Sequence, residues 1–230
     1  MRRREMPLDI AENAFVNEPF VRLRETDGIT LSLQYPAMGI PCAPTACYLR
    51  KGAYERLCKA ARLLPEGYRF CIWDAWRPFS LQQYLYELYA KQIEEKLHPA
   101  PAERAALIAS FVSPPVENRT VPPVHTTGGA VDLTVIDASG EPLDMGTAFD
   151  DFSHAAHTAY YENRRLSQSD IGIRDHRRLL YNVMTAVGFT NLPSEWWHYD
   201  FGDRFWGYYK KKPAVYSGVF DPEELYADQE

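Results

Sequence analysis

No stretch of this 230-residue chain approaches the run of about 18 apolar residues that a membrane-spanning helix needs. The N-terminus also lacks the apolar core of a signal peptide. Met1-Arg-Arg-Arg4 is followed by Glu5-Met-Pro-Leu-Asp-Ile-Ala-Glu12, so the chain is expected to be cytoplasmic. Basic charge is in short supply as well. Lys and Arg number 25 against 31 Asp and Glu, a formal charge of −6, which argues against a nucleic-acid partner because phosphate-binding domains present a basic face. Cysteine is scarce: Cys42, Cys47, Cys58 and Cys71 all fall in the first third, and no CxxC spacing is present. That excludes a zinc ribbon or finger and reads as four reduced, structural thiols. Repeats and low-complexity tracts are absent too.

What remains is an ordinary soluble composition and enough chain for one core, so residues 1–230 are expected to form one domain. Ile29-Thr-Leu-Ser-Leu-Gln-Tyr35 alternates like a half-buried strand, and 36–44 reads as a loop. Helical periodicity over 51–64 ends at Pro65 and Gly67, and Tyr68-Arg-Phe-Cys-Ile-Trp73 reads as a buried strand. A helix is predicted from Ser80 to about Lys96 with Leu81, Tyr84, Leu85 and Leu88 on its apolar face, and a second over 102–111. Residues 113–123 form a Pro-rich loop, Gly128-Gly129 a turn, and 130–136 a strand. Residues 138–172 look irregular, with a short helix around 153–161, then a helix over 175–187 closed by Gly188 and a strand over 196–201. This pattern predicts an α+β fold with a small, mainly antiparallel sheet flanked by helices.

Two short segments carry the chemistry. His125-Thr-Thr-Gly-Gly-Ala-Val-Asp132 and Glu195-Trp-Trp-His198 together supply two imidazoles and a carboxylate for zinc, with a second carboxylate left over as a general base. A catalytic zinc takes three protein ligands and keeps a fourth position open, and two His with one carboxylate are a recurring set. Alone, each His reads equally well as a hydrogen-bonded structural residue. The set His125, Asp132 and His198, with Glu195 three positions before a ligand, points to a zinc hydrolase with its metal on the sheet. The seven-residue gap between His125 and Asp132 needs a sharp turn, which the glycine pair allows. A second pair, His154 and His157, has ligand spacing but neither such a turn nor a base. Asp74-Ala-Trp-Arg77-Pro78 follows a predicted strand, where Arg77 could polarise a carbonyl and Asp74 could orient it; a purely structural ion pair fits equally well.

With these residues in view, Trp73-Asp-Ala-Trp-Arg-Pro78, His125-x-x-Gly-x-Ala-Val-Asp-Leu-Thr134, Met145-Gly-Thr-x-Phe-Asp150 and Glu195-Trp-Trp-His-Tyr199 resemble the ordered motifs of the VanX-type zinc D-alanyl-D-alanine dipeptidases, relatives of the zinc D,D-carboxypeptidases. The resemblance runs from about Tyr35 to Tyr199. It implies one zinc on His125, Asp132 and His198, Glu195 as base and then acid, and Arg77 as transition-state stabiliser. It also implies that Asp150 binds the free ammonium of a small dipeptide and that Tyr35 contacts substrate. One position departs from the pattern: Pro123, two before the first ligand, stands where the best-known enzyme of the family has a serine that helps hold the substrate amine. Three other readings stay open: a dipeptidase for another D- or mixed dipeptide, a D,D-carboxypeptidase, and a zinc-stabilised binding protein without catalysis. The segment Phe205-Trp-Gly-Tyr-Tyr209 reads as either an interface or a packed surface.

Overall fold

The computed structural model describes residues 14–226 apart from 17, 27, 152 and 163–166; the N-terminal segment through Glu12 lies outside them. A five-stranded sheet runs in the order β2 (Ile29–Leu31), β4 (Arg69–Asp74), β5 (Ala130–Ile136), β7 (His198–Asp200), β6 (Thr190–Asn191). All its pairings are antiparallel except β2 with β4. A separate ribbon pairs β1 (Phe20–Arg22) with β3 (Tyr48–Arg50). Helices α1 (Gln34–Ala37), α2 (Lys51–Ala61), α3 (Phe79–Leu97), α4 (Pro101–Phe111), α5 (Gln168–Ala186) and α6 (Arg204–Lys210) surround the sheet, so the mixed α+β expectation matches what is observed.

One sheet face is apolar. Phe70 and Ile72 of β4, Val131, Leu133 and Val135 of β5 and Tyr199 of β7 join Leu57 and Ala60 of α2 and Leu180, Val183 and Met184 of α5 in the main core. Each of the Val, Leu, Ile, Phe and Met side chains among them contributes roughly 1.5–3 kcal/mol by leaving water. Because side chains alternate along a strand, burying these residues turns Asp132, His198 and Asp200 to the other face. All seven residues of β5 are buried, since α2 and α5 cover one side and the loops around the site cover the other. A second cluster, Tyr35 with Leu81, Leu85, Tyr89, Ile93 and Ile108, packs α1, α3 and α4 together beside the site face.

Several expectations are corrected. β2 ends at Leu31, and Tyr35 lies in α1, because Pro36 falls in the first turn of that short helix, where a missing N–H costs nothing. The apolar face of α3 is rotated from the one expected. Leu81, Leu85 and Tyr89 are buried at intervals of four, whereas Tyr84 is 39% exposed. α5 begins seven residues earlier than expected, at Gln168, because Ser167 and Asp170 form a capping box that satisfies its first N–H groups. The helix expected around 153–161 is a single 3-10 turn over His154–Ala156. In α6, Phe205 is buried and Trp206 packs on the core, while Tyr208 and Tyr209 are exposed.

The glycine pair before β5 divides its work. Gly128 has φ +72°, and Gly129 lies so close to the neighbouring chain that an added Cβ would sit 2.3 Å from the Phe201 carbonyl oxygen. A backbone atom held by the sheet cannot yield as a side chain can. Gly129→Ala is therefore expected to lower unfolding free energy by about 1–3 kcal/mol, read as a lower denaturant midpoint with an unchanged m-value.

Candidate active site

Register places the first two site residues. Asp132 of β5 is directly opposite His198 of β7, so both side chains emerge side by side from the site face. On the other flank, the pairing of β4 with β5 shifts between Ile72, which faces Leu133, and Asp74, which faces Asp132. By simple alternation from Phe70 and Ile72, Asp74 would enter the apolar core. The bulge turns it onto the site face instead.

His125 comes from a 3-10 turn, Val124–Thr127, that precedes β5. The hydroxyls of Thr126 and Thr127 donate to the carbonyls of Pro123 and Val124, and Gly128 closes the turn in the left-handed region. This turn is stitched to the segment after β4: Arg77 N–H donates to the His125 carbonyl at 3.3 Å, and His125 Nδ1 meets the Ala75 carbonyl at 2.8 Å.

The result is a convergence of three buried ligand atoms. His125, Asp132 and His198 each offer one such atom within 4.8 Å of the others. His125 Nε2 is 3.2 Å from His198 Nδ1, His198 Nδ1 is 2.9 Å from Asp132 Oδ1, and His125 Nε2 is 3.4 Å from Asp132 Oδ2. Ligands bound to a tetrahedral zinc at about 2.0–2.1 Å lie about 3.3 Å apart, so the donor set has the right size. The outer nitrogens point to the same conclusion. His125 Nδ1 is committed to the Ala75 carbonyl and His198 Nε2 to Asp200 Oδ1 at 2.8 Å. With a hydrogen on each outer nitrogen, the inner lone pairs would face one another with room for a cation between them. Among the described residues no other group of three His, Cys, Asp or Glu converges in this way. His154 and His157 stack at 4.4 Å between ring centres without a third ligand.

Electrostatics distinguish the two imidazoles. Burial pushes His125 down to about 3, more than Asp132 raises it, so this imidazole is neutral and able to donate a lone pair. Burial also disfavours a charge on His198, but Asp200 and Asp132 outweigh it and hold a positive charge favourable there. Asp200 is fully buried, and beside it Asp203 caps α6 through the N–H groups of Phe205 and Trp206.

Arg77 is 7% exposed and held on three sides. Nε and Nη2 donate to Asp74 Oδ2 at 3.0 and 2.7 Å, Nη1 donates to Gln82 Oε1 at 2.9 Å, and Nη2 reaches the Tyr35 hydroxyl at 3.3 Å. Gln82 in turn donates to the Ser113 carbonyl at 2.7 Å, which ties the Pro-rich loop to the site. Burial raises Asp74 to about 6 even though Arg77 opposes it.

Asp150 accepts hydrogen bonds at Oδ2 from Tyr35, at 3.1 Å, and from Tyr89. Its backbone sits at φ +55°, a left-handed conformation that costs an L-residue about 1 kcal/mol. The loop that carries it is clamped from below by Arg177, buried at 3% exposure. Arg177 donates to the carbonyls of Met145, Ala155 and His157. Trp196 Nε1 donates to Thr147 Oγ1 at 2.8 Å and ties the same loop to the Glu195–His198 turn. That turn is fixed by its backbone: the Glu195 N–H donates to the Leu192 carbonyl, and the Glu195 carbonyl accepts from Asn191 Nδ2.

An open cleft of about 500 Å³ unites these parts, lined by Tyr35, Arg77, His125, Asp132, Asp150, Glu195 and His198 together with Gln82, Tyr89 and Pro123. Asp74 stands behind Arg77, outside that lining. Three contributors were not anticipated from sequence. Gln82 and Tyr89 lie seven residues apart on α3, hence on one face, and polar tips on an otherwise apolar stripe were the available signal. Asp200 follows His198 by two, so both share a strand face, a spacing that signals a carboxylate backing a ligand.

The chain is 29% identical over 176 residues to a D-alanyl-D-alanine dipeptidase of Synechocystis, covering 70% of this chain and 71% of that protein. It is 30% identical over 155 residues to one from Escherichia coli, covering 67% and 66%. VanYB, solved in complex with D-alanine-D-alanine, is a looser structural likeness with a TM-score of 0.42 at 15% identity, over 80% of this chain and 85% of that one. The D-Ala-D-Ala dipeptidase family profile matches residues 44–217, a span that contains all the site residues described here except Tyr35, and the chain belongs to that family.

Proposed function

We propose that this protein hydrolyses D-alanyl-D-alanine to two D-alanines with one zinc ion held by His125, Asp132 and His198. The observation that carries this reading is the convergence of those three ligand atoms in a cleft also lined by Glu195, Arg77 and Asp150. When bound, zinc supplies Lewis acidity, which polarises the scissile carbonyl and acidifies a water molecule. The chain's own residues do the rest. Glu195 takes the proton of the attacking water and later delivers it to the leaving amine. Arg77, locked by Asp74 and Gln82, presents a fixed positive charge to the developing oxyanion without reorganising. Asp150 receives the free ammonium of the dipeptide as a charge-assisted partner. A different D- or mixed dipeptide is the second reading, favoured by Pro123, which lines the cleft without any side-chain donor. We place the protein in the cytoplasm, a reading supported by four unpaired thiols, two of them buried. Among the described residues no helix is long and apolar enough to cross a membrane.

The deciding assay is D-alanine release from D-Ala-D-Ala by zinc-loaded protein, with L-Ala-L-Ala and N-acetyl-D-Ala-D-Ala as controls. Glu195→Ala should keep fold and metal while losing about 10²–10⁴-fold in turnover; near-normal turnover would refute the mechanism. Asp200→Ala, which releases His198 Nε2, should weaken zinc affinity about 10–100-fold in a chelator competition. The acid limb also follows from the site. Burial raises the Asp150 carboxyl to about 7, despite the Tyr89 hydrogen bond that opposes the shift. It is neutral below that pH and anionic above it, so dipeptide binding should weaken as pH falls through about 7, by about tenfold per unit, while Asp150→Asn should flatten that limb.

A further inference from the structure

Tyr89 is placed by α3 rather than by any of the four motifs that carry the active-site residues. It is a buried residue whose hydroxyl reaches the cleft. Its hydroxyl donates to the same oxygen of Asp150, Oδ2, that Tyr35 reaches at 3.1 Å. Two phenols on one oxygen orient the carboxylate plane relative to Arg77 and the candidate metal ligands. They also brace a residue whose backbone is held at φ +55°.

We propose that Tyr89 is a positioning residue for substrate specificity: through Asp150 it selects dipeptides with a free, protonated primary amine. This rests on the dipeptidase reading. The subsite so formed is specific in a simple physical way. A half-buried carboxylate aimed in this manner rewards a cation with N–H donors, whereas an acylated amine would leave it without a charged partner. The Tyr89 hydroxyl donates to Asp150 and also bonds the Tyr35 hydroxyl, not a metal ligand, so its removal should alter binding more than the chemical step.

The groups facing Asp150 are Tyr35 from α1, Arg77 after β4, Tyr89 from α3, Asp132 from β5 and Glu195 in the turn before β7. Of these, Tyr89 donates to the anionic form of Asp150, and that hydrogen bond favours ionisation. Steady-state kinetics of zinc-loaded Tyr89→Phe on D-Ala-D-Ala should show KM raised about fivefold to tenfold with kcat within about twofold, since a hydrogen bond to a charged group is lost from binding alone. The acid limb of kcat/KM should move to higher pH. In the Asp150→Asn background the same change should add almost nothing, because Tyr89 acts through Asp150. An unchanged KM, a fall confined to kcat, or losses that simply add in the double variant would overturn the inference while leaving the dipeptidase reading intact. Failure of the unmodified protein to cleave the dipeptide would overturn both.

Discussion

The antiparallel register of β5 against β7 is the constraint on which the site depends. Asp132 faces His198, and both strands are held in that register by what lies on their other side: Val131, Leu133 and Tyr199 anchored among Leu57, Leu180 and Met184. A slip of one residue would drive a carboxylate and an imidazole into the apolar core and expose the core residues to the cleft. Hydrophobic burial on one face thereby sets polar geometry on the other. The three candidate ligands need no special rigidity of their own because the packing supplies it.

Charge balance is the second constraint. Asp74, Asp132 and Asp200 are all less than 9% exposed, and like charges so close cannot remain ionised without compensation. Arg77 answers Asp74 directly and lies 3.9 Å from Asp132. A cation held by His125, Asp132 and His198 would answer the rest, with Asp200 bonded to His198 from behind. The bulge in β4 is the local device that allows this, since without it Asp74 would point the wrong way and Arg77 would lose its main anchor. A guanidinium is well suited to such a place, since its planar donor fork is always charged and its geometry is set by the partners it already has.

The remaining site residues arrive on irregular chain, and buried arginines make that chain dependable. Arg177 binds three carbonyls of the loop bearing Asp150, with its charge spread over the faces of Tyr161 and Trp196. Arg50 does similar work for the turn bearing His125, donating to the carbonyls of Thr127 and Glu18 and stacking on Phe20. Loops are where substrate-facing groups sit, and here a cation under each loop replaces the hydrogen bonds that a strand or helix would have provided.

His125, Asp132, Glu195 and His198 were legible in the sequence because two short motifs carry them and their chemistry requires those residue types together. The strands over 69–74 and 130–136 and the helix α2 were legible too, since continuous or periodic burial leaves a pattern in the chain itself. Other features left no such pattern. The rotation of α3 that buries Tyr89 and exposes Tyr84 depends on α1 and α4 packing beside it, and the capping of α5 by Ser167 was hidden in a stretch with little apolar periodicity. Local sequence determined which groups could perform the chemistry, because donor type and short-range spacing are properties of the chain. Only the tertiary structure decided where those groups point: the face of Asp74, the enclosure of Asp150 by two phenols and the backing of His198 by Asp200 all arise from strand register and from packing between distant segments.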